Sequence, residues 1–234
     1  MTLSRFDPRH TIVQRQQDRL QLLLGALSEN RFYSARLKAA GVPSHLALLE
    51  FLNRIPFTVK QDIADDQRLH PPYGTNLSYP LQRYTRFCQT SGTSGSPIHW
   101  LDTPESWNWM LNCWTQVFQA AAIGPPDRVF FAFSFAPFLG FWTAFESAAK
   151  LGVLAIPGGG LSSAARLGLI RENATTVLCC TPTYALHLAE VAKEEGFDLS
   201  STKVSKIIVA GEPGGCIPNV RMRIESAWHG ARVI

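Results

Sequence analysis

The residues best suited to chemistry run Thr90-Ser91-Gly92-Thr93-Ser94-Gly95-Ser96-Pro97. Glycine reaches backbone conformations closed to other residues, so Gly92 and Gly95 let successive N–H groups turn into one concavity and hold an anion. The surrounding hydroxyls can donate to phosphate oxygens or reach a Mg2+ ion. Such a cluster reads as a phosphate cradle, or else as a plain flexible turn between two strands. The kinase-type loop G-x-x-x-x-G-K-[ST] is excluded because Ser96 stands where its lysine would be, and no G-x-G-x-x-G opens a helix here.

The elements that must position this loop follow from periodicity. From Asp7 to about Leu52, Ile12, Val13, Leu20, Leu23, Leu24 and Leu27 recur at near-helical spacing, and Gly41 is placed to stop a second helix after Ala40. Residues 1–54 are therefore expected to form a helical lead-in. Residues 55–82, with Pro71, Pro72, Gly74 and Pro80, read as an extended connector. Residues 83–234 alternate strand and helix patterns. A helix is expected from Pro104 to Gly124, a strand from Arg128 to Phe135, a helix to Lys150 and a strand from Val153 to Ile156. Then come helix Ser163 to Asn173, strand Thr176 to Cys180, helix Pro182 to Glu195, strand Lys206 to Ala210, a helix near Pro218 to Trp228, and a strand beginning at Ala231. Strands that are nearly continuous apolar runs imply an α/β fold, a mostly parallel sheet with helices on both faces. Ligands of such sheets sit at the carboxyl ends of the strands. Here those ends carry Phe135 to Phe138, Pro157 to Gly160, Thr181-Pro182 and Gly211-Glu212-Pro213.

Composition narrows the partners. Twenty-two Lys and Arg against eighteen Asp and Glu give a net charge of +4 with no basic run, which argues against nucleic acid. Cys88, Cys113, Cys179, Cys180 and Cys216 form no C-x-x-C pair and read as buried free thiols of a reducing, cytoplasmic setting. The polar start, Met1 to Arg15, lacks the apolar core of an export signal. The uncharged stretch Val129 to Phe145 approaches the ~18 to 20 residues of a membrane span. Ser134, Pro137 and Gly140 interrupt it, so a buried strand followed by a buried helix is expected instead.

The order Phe87, two variable positions, then T-S-G-T-S-G-S-P resembles the phosphate loop of the adenylate-forming superfamily, which includes acyl-CoA and aryl-CoA synthetases. Ile55-Pro56-Phe57-Thr58-Val59-Lys60-Gln61-Asp62 resembles the segment preceding that loop in phenylacetate-CoA ligases. Ile156-Pro157-Gly158-Gly159-Gly160, Val177 to Leu186 and Ala210-Gly211-Glu212-Pro213 resemble later motifs of that family in the same order. The resemblance covers nearly all of residues 55–234.

It implies an AMP-forming aryl- or acyl-CoA ligase, which uses ATP, Mg2+ and coenzyme A to convert a small carboxylic acid, arylacetate among the candidates, to an acyl adenylate and then a thioester. Ser91, Gly92, Thr93, Ser94 and Gly95 match the phosphate-binding positions, with the Thr93 hydroxyl expected at the metal. Gly211, Glu212 and Pro213 match the segment packed against adenine, and Glu212 reads alternatively as a solvated turn carboxylate. Phe133, Phe138, Pro157 and Tyr184 are expected at an apolar acid pocket, with Phe133 read equally well as an ordinary core aromatic. The chain departs from the family at Ser96, where most relatives carry a lysine, and a neutral hydroxyl should hold the triphosphate less strongly. In the family a D-x-Y-G-x-T-E element, a ribose-binding Asp, a hinge and a lysine-bearing C-terminal domain follow the segment matching Ala231 to Ile234. The chain is thus expected to be an N-terminal, truncated portion with weak or no turnover alone, its site completed by a homodimer partner or a separate chain. The alternative is a non-catalytic ATP- or acid-binding module derived from that family.

Overall fold

The computed structural model describes residues 7–92 and 95–234 and divides the chain into two units, Met1–Pro104 and Glu105–Ile234. In the first, α1 (Arg9–Leu27) buries Leu20 and Leu24, one turn apart, while Val13 and Leu23 remain exposed. Leu20 and Leu24 pack with Leu46, beside Leu37, Val42, Leu48 and Phe51. The helix α2 (Arg31–Ala39) starts where the Asn30 side chain accepts from the Tyr33 N–H. Past its end Gly41 takes φ +63°, the left-handed residue expected beyond a helix C-terminus. A short helix α3 (Leu48–Arg54) follows.

Within the stretch expected to run extended, Lys60–Leu69 forms helix α4. Its prolines and glycine, Pro56, Pro71, Pro72, Gly74 and Pro80, all lie outside those ten residues, so nothing inside breaks the backbone ladder. The Asp62 carboxylate accepts from the Val59 N–H at 3.1 Å and pairs with Arg36 at 3.1 Å. One turn further, Gln67 donates to the His99 carbonyl at 2.7 Å and accepts the His99 N–H at 2.9 Å. The helix thereby braces the antiparallel pair β1 (Arg86–Gln89) and β2 (His99–Asp102).

The second unit is a five-stranded parallel sheet in the order β4-β3-β5-β6-β7. Its strands are β3 (Arg128–Phe131), β4 (Leu154–Pro157), β5 (Val177–Cys180), β6 (Lys206–Val209) and β7 (Arg232–Val233). The helices α5 (Pro104–Ala120), α6 (Leu139–Lys150), α7 (Ser163–Glu172), α8 (Pro182–Glu194) and α9 (Pro218–Ala227) cover both faces. Alternation along each strand assigns the faces. Val129, Phe131, Val177, Cys179 and Ile208 pack with Phe118, Ala144 and Ala148 of α5 and α6. Phe130, Leu178, Cys180 and Ile207 pack with Leu167, Ile170, Ala185, Leu188 and Ile224 of α7, α8 and α9. The α/β class and parallel sheet expected from the sequence are therefore what the chain adopts, and no helix among the described residues is long and apolar enough to cross a membrane.

Two boundaries differ for identifiable reasons. Strand β3 stops at Phe131 rather than Phe135: its last ladder bonds are the Gly158 N–H to the Phe131 carbonyl and the Ala132 N–H to the Cys179 carbonyl, and by Phe135 the backbone has turned to a left-handed φ of +51°. Helix α5 ends at Ala120 rather than at Gly124, because Ala122 takes the left-handed turn (φ +52°) and the Ile123 N–H closes on the Phe118 carbonyl. Gly124 instead exchanges bonds with Asp127.

Candidate functional site

In the first unit, the loop between β1 and β2 is closed by a double contact at its neck. Thr90 N–H donates to the Ile98 carbonyl at 3.0 Å, and the Thr90 hydroxyl accepts the Ile98 N–H at 2.9 Å. Inside it Gly95 N–H returns to the Gly92 carbonyl at 3.1 Å. Gly92 has φ +72°, and a Cβ there would lie 3.0 Å from both the Gly95 carbonyl oxygen and Pro97 Cγ, so its conformation and its surroundings both favour glycine. Ser91 and Ser96 are exposed. Thr93 and Ser94, expected at phosphate and metal, lie outside the described residues.

In the second unit the strand order sets the site. The chain passes from β3 to β4 on one side, then returns across to β5 on the other, so the order reverses between β3 and β5. Beyond the carboxyl ends of strands flanking such a reversal, no neighbouring connection fills the space. Four segments border it: Ala132-Phe133, Pro157 to Gly160, Thr181 to Thr183, and Gly211 to Pro213.

Phe133 is buried and stacks on Phe141 of α6, with ring centroids 3.8 Å apart and planes within 15°. Phe138 meets the same Phe141 edge-on at 6.4 Å. Phe141 thus joins the two expected pocket aromatics, and sequence reasoning missed it although it stands one helical turn from Phe138. Gly211 (φ +93°) lies against this group, since a Cβ there would sit 3.6 Å from Phe141 Cζ and 3.5 Å from Thr181 Cγ2. Here the left-handed backbone, rather than lack of room, demands glycine.

Glu212 is exposed, yet it is not a merely solvated carboxylate. Its Oε1 accepts the Thr183 hydroxyl at 2.5 Å and the Thr183 N–H at 2.7 Å. Thr183 lies in the first turn of α8, whose N-cap is Thr181 and whose first residue is Pro182. The carboxylate therefore satisfies an otherwise unbonded helix-start N–H and complements the helix dipole. The Thr183 hydroxyl, followed by its N–H, holds the Glu212 carboxyl below the usual carboxylate range. Gly214 packs behind it so closely that a Cβ would fall 2.5 Å from Pro182 Cβ.

Pro157, exposed at the end of β4, precedes Gly158, which is buried. Tyr184 stands on the α7/α8 side, its hydroxyl 3.0 Å from Ser163 Oγ, which also lies 3.2 Å from His187 Nε2. The guanidinium of Arg166, itself buried, lies 4.9 Å from the Tyr184 ring centroid and donates from Nε to the Gly158 carbonyl at 2.8 Å. Tyr184 is thus tied to hydroxyl, imidazole and guanidinium, a polar setting that an apolar-pocket reading did not foresee. His187 stands three residues along the same helix, a spacing the sequence shows, but Ser163 and Arg166 come from α7, for which it offered no signal.

The cysteines beside this edge are not nucleophiles at neutral pH. Burial pushes the Cys179 thiol up to about 12 and that of Cys180 well above its usual value. Of the five expected as buried thiols, Cys88, Cys179 and Cys180 are buried, Cys113 is partly buried and Cys216 is exposed. Among the described residues no cluster of three or more His, Cys, Asp or Glu is arranged to hold a metal ion.

No family model matches the chain. Among solved structures, 2-hydroxyisobutyryl-CoA ligase in complex with 2-HIB-AMP and CoA in the thioesterification state superposes with a TM-score of 0.91 at 30% identity, covering 97% of this chain and 48% of that one. The same ligase in an open conformation gives a TM-score of 0.89 at 28% identity, with coverage of 97% and 53%. This likeness, on a sheet whose carboxyl edge carries the ordered motifs, makes the chain a member of the adenylate-forming ligase superfamily. Phenylacetate-coenzyme A ligase of Pseudomonas putida is 30% identical over 202 residues, 86% of this chain and 45% of that enzyme. The phenylacetate-coenzyme A ligase of Thermus thermophilus is 29% identical over 208 residues, 88% and 46% respectively. Within the superfamily the chain is phenylacetate-CoA-ligase-like, and it spans about half the length of the curated relatives it matches.

Proposed function

We propose that this chain supplies nucleotide- and acid-binding residues of an AMP-forming CoA ligase. In that reaction a carboxylate oxygen bonds to the α-phosphorus of ATP as pyrophosphate leaves, and the CoA thiol then attacks the acyl carbon as AMP leaves. The observation supporting this most is the group Phe133, Phe141, Thr181 and Gly211 gathered at the carboxyl edge where the strand order reverses, in a chain resembling CoA ligases on both sequence and fold.

In this reading Ser91, Gly92, Thr93, Ser94 and Gly95 hold the triphosphate through N–H groups and hydroxyls. A Mg2+ ion would be held by the Thr93 hydroxyl together with the nucleotide's phosphates, and would offset charge as pyrophosphate departs. Gly211, Glu212 and Pro213 face the adenine. Phe133 and Phe138, joined through Phe141, wall an acid-binding pocket with Pro157 and Tyr184 at its rim. The aromatic wall favours an aryl or arylacetic acid.

The test is acid-dependent exchange of labelled pyrophosphate into ATP, run with the intact protein over a panel of aromatic, hydroxy and fatty acids. Exchange with at least one acid is expected, and its absence with all of them would sink the ligase reading. Gly92→Ala should reduce exchange roughly tenfold, because a left-handed backbone costs a side chain about 1–2 kcal/mol. The neutral Ser96, standing where most relatives carry a cation, favours one second reading, a binding module without turnover. Calorimetric ATP binding in the absence of exchange would select it.

A further inference from the structure

The turn after β6 does more than follow the sheet: side chains of the neighbouring helix hold it in one conformation. Glu212 Oε1 takes both bonds from Thr183. Thr181 Oγ1 lies 3.4 Å from Thr183 Oγ1, so the two hydroxyls of the α8 start adjoin. Behind Glu212, Gly214 admits no side chain against Pro182, and a Cβ on Gly215 would fall 2.5 Å from Val209 Cγ2. In front, Gly211 rests on Thr181 and Phe141. Residues 211–215 are thus keyed to the first turn of α8 by one carboxylate clamp and the close approach of Gly214 to Pro182, and to the end of β6 by the close approach of Gly215 to Val209.

An ionised carboxylate has no proton to donate, so it accepts only. With Oε1 committed to Thr183, the group is oriented rather than free to rotate. A fixed acceptor favours a purine carrying an amino donor at C6 and disfavours one carrying a carbonyl there, whose lone pairs would face the carboxylate's. We infer that Thr183 is a positioning residue for nucleobase recognition: by pinning Glu212 Oε1 it fixes the turn at 211–213 and makes the site select a 6-amino purine nucleotide. The inference rests on the reading of Gly211 to Pro213 as the adenine-facing segment.

The experiment is calorimetric titration of the full chain with ATP and, separately, ITP, which differs at purine position 6 and lacks the amino group. The parent protein should bind ATP more tightly than ITP. Thr183→Val removes the hydroxyl bond while keeping shape, and should weaken ATP roughly tenfold, the scale of one hydrogen bond to a charged group, and ITP much less. Thr183→Ser should restore the parent values. Glu212→Gln keeps a carbonyl oxygen for Thr183 and places an amide donor on the other arm, so it should shrink or reverse the preference; it also serves if Thr183→Val does not fold. Unchanged ATP and ITP affinities in both variants would overturn the inference while leaving nucleotide binding intact. Equal losses for both nucleotides would also overturn it, as the mark of a merely structural residue. Failure of the parent protein to bind either nucleotide would instead remove the adenine-site reading on which it stands.

Discussion

Replacing Gly158 by alanine should destabilise the α/β unit, because that position has no room for one carbon. A Cβ there would lie 2.7 Å from Phe130 Cε1 and Cζ and 2.8 Å from the Phe131 carbonyl oxygen, about 1 Å inside ordinary carbon–carbon contact. Neither neighbour yields easily. Phe130 is fully buried between β3 and the α7/α8 layer, and the Phe131 carbonyl is held by the Gly158 N–H itself at 2.9 Å. The Gly158 carbonyl is also fixed, by Arg166 Nε at 2.8 Å. Overpacking of this kind costs about 1–3 kcal/mol, and for a chain of this size each kcal/mol moves Tm by roughly 2–4 °C. A fall of about 2–12 °C in thermal unfolding by circular dichroism is expected, with a matching shift of the urea midpoint at constant slope. Gly168→Ala is the control. Gly168 sits inside α7, where the nearest atom to an added Cβ is 3.9 Å away, so it should raise stability by about 0.5–1 kcal/mol. In a double-mutant cycle, Phe130→Leu should relieve part of the Gly158→Ala cost, giving a coupling of more than about 0.5 kcal/mol. A Gly158→Ala protein that melts within about 1 °C of its parent, or a cycle with additive costs, would refute the close-approach argument.

Two further outcomes follow from the titratable groups. Because Thr183 lowers the folded value of Glu212 below that of an unfolded glutamate, the stability from this group is fully present above about pH 4.3 and is lost as pH falls through the lower folded value. The Tm difference between parent and Glu212→Gln should therefore narrow on acidification from pH 6 to pH 3, and a difference independent of pH would count against the Thr183 clamp. Thiol labelling with iodoacetamide at pH 8 should reach the exposed Cys216 first, whereas Cys179 and Cys180, buried and with raised values, should react only after denaturant is added; modification of either in the native protein, read by mass spectrometry, would contradict their placement.

The sequence determined by itself whatever local chemistry dictates. Apolar runs such as Val177 to Cys180, set between helix patterns, read as buried strands in a sheet covered on both faces, and residues 177–180 are β5, buried throughout. Thr181-Pro182 marks a helix start in any context, and α8 begins there. Helix α4 escaped because its ten residues are strongly polar, and composition weighs flanking prolines and glycines more heavily than a short helix capped by Asp62 and braced through Gln67 against His99. The end of β3 was equally hidden, since it depends on where its pairing with β4 and β5 runs out. At the candidate site the sequence identified Gly211, Glu212, Phe133 and Tyr184 as residues of interest. Only the tertiary structure decided what each of them touches: Phe141 from α6 beneath Phe133, Thr183 from α8 on Glu212, Ser163 from α7 on Tyr184. These contacts join residues 8 to 29 positions apart, through crossovers whose strand order no local pattern encodes. Helix and strand propensities act over a few residues, whereas the partner of a side chain at a strand's end is fixed by which strand lies beside it.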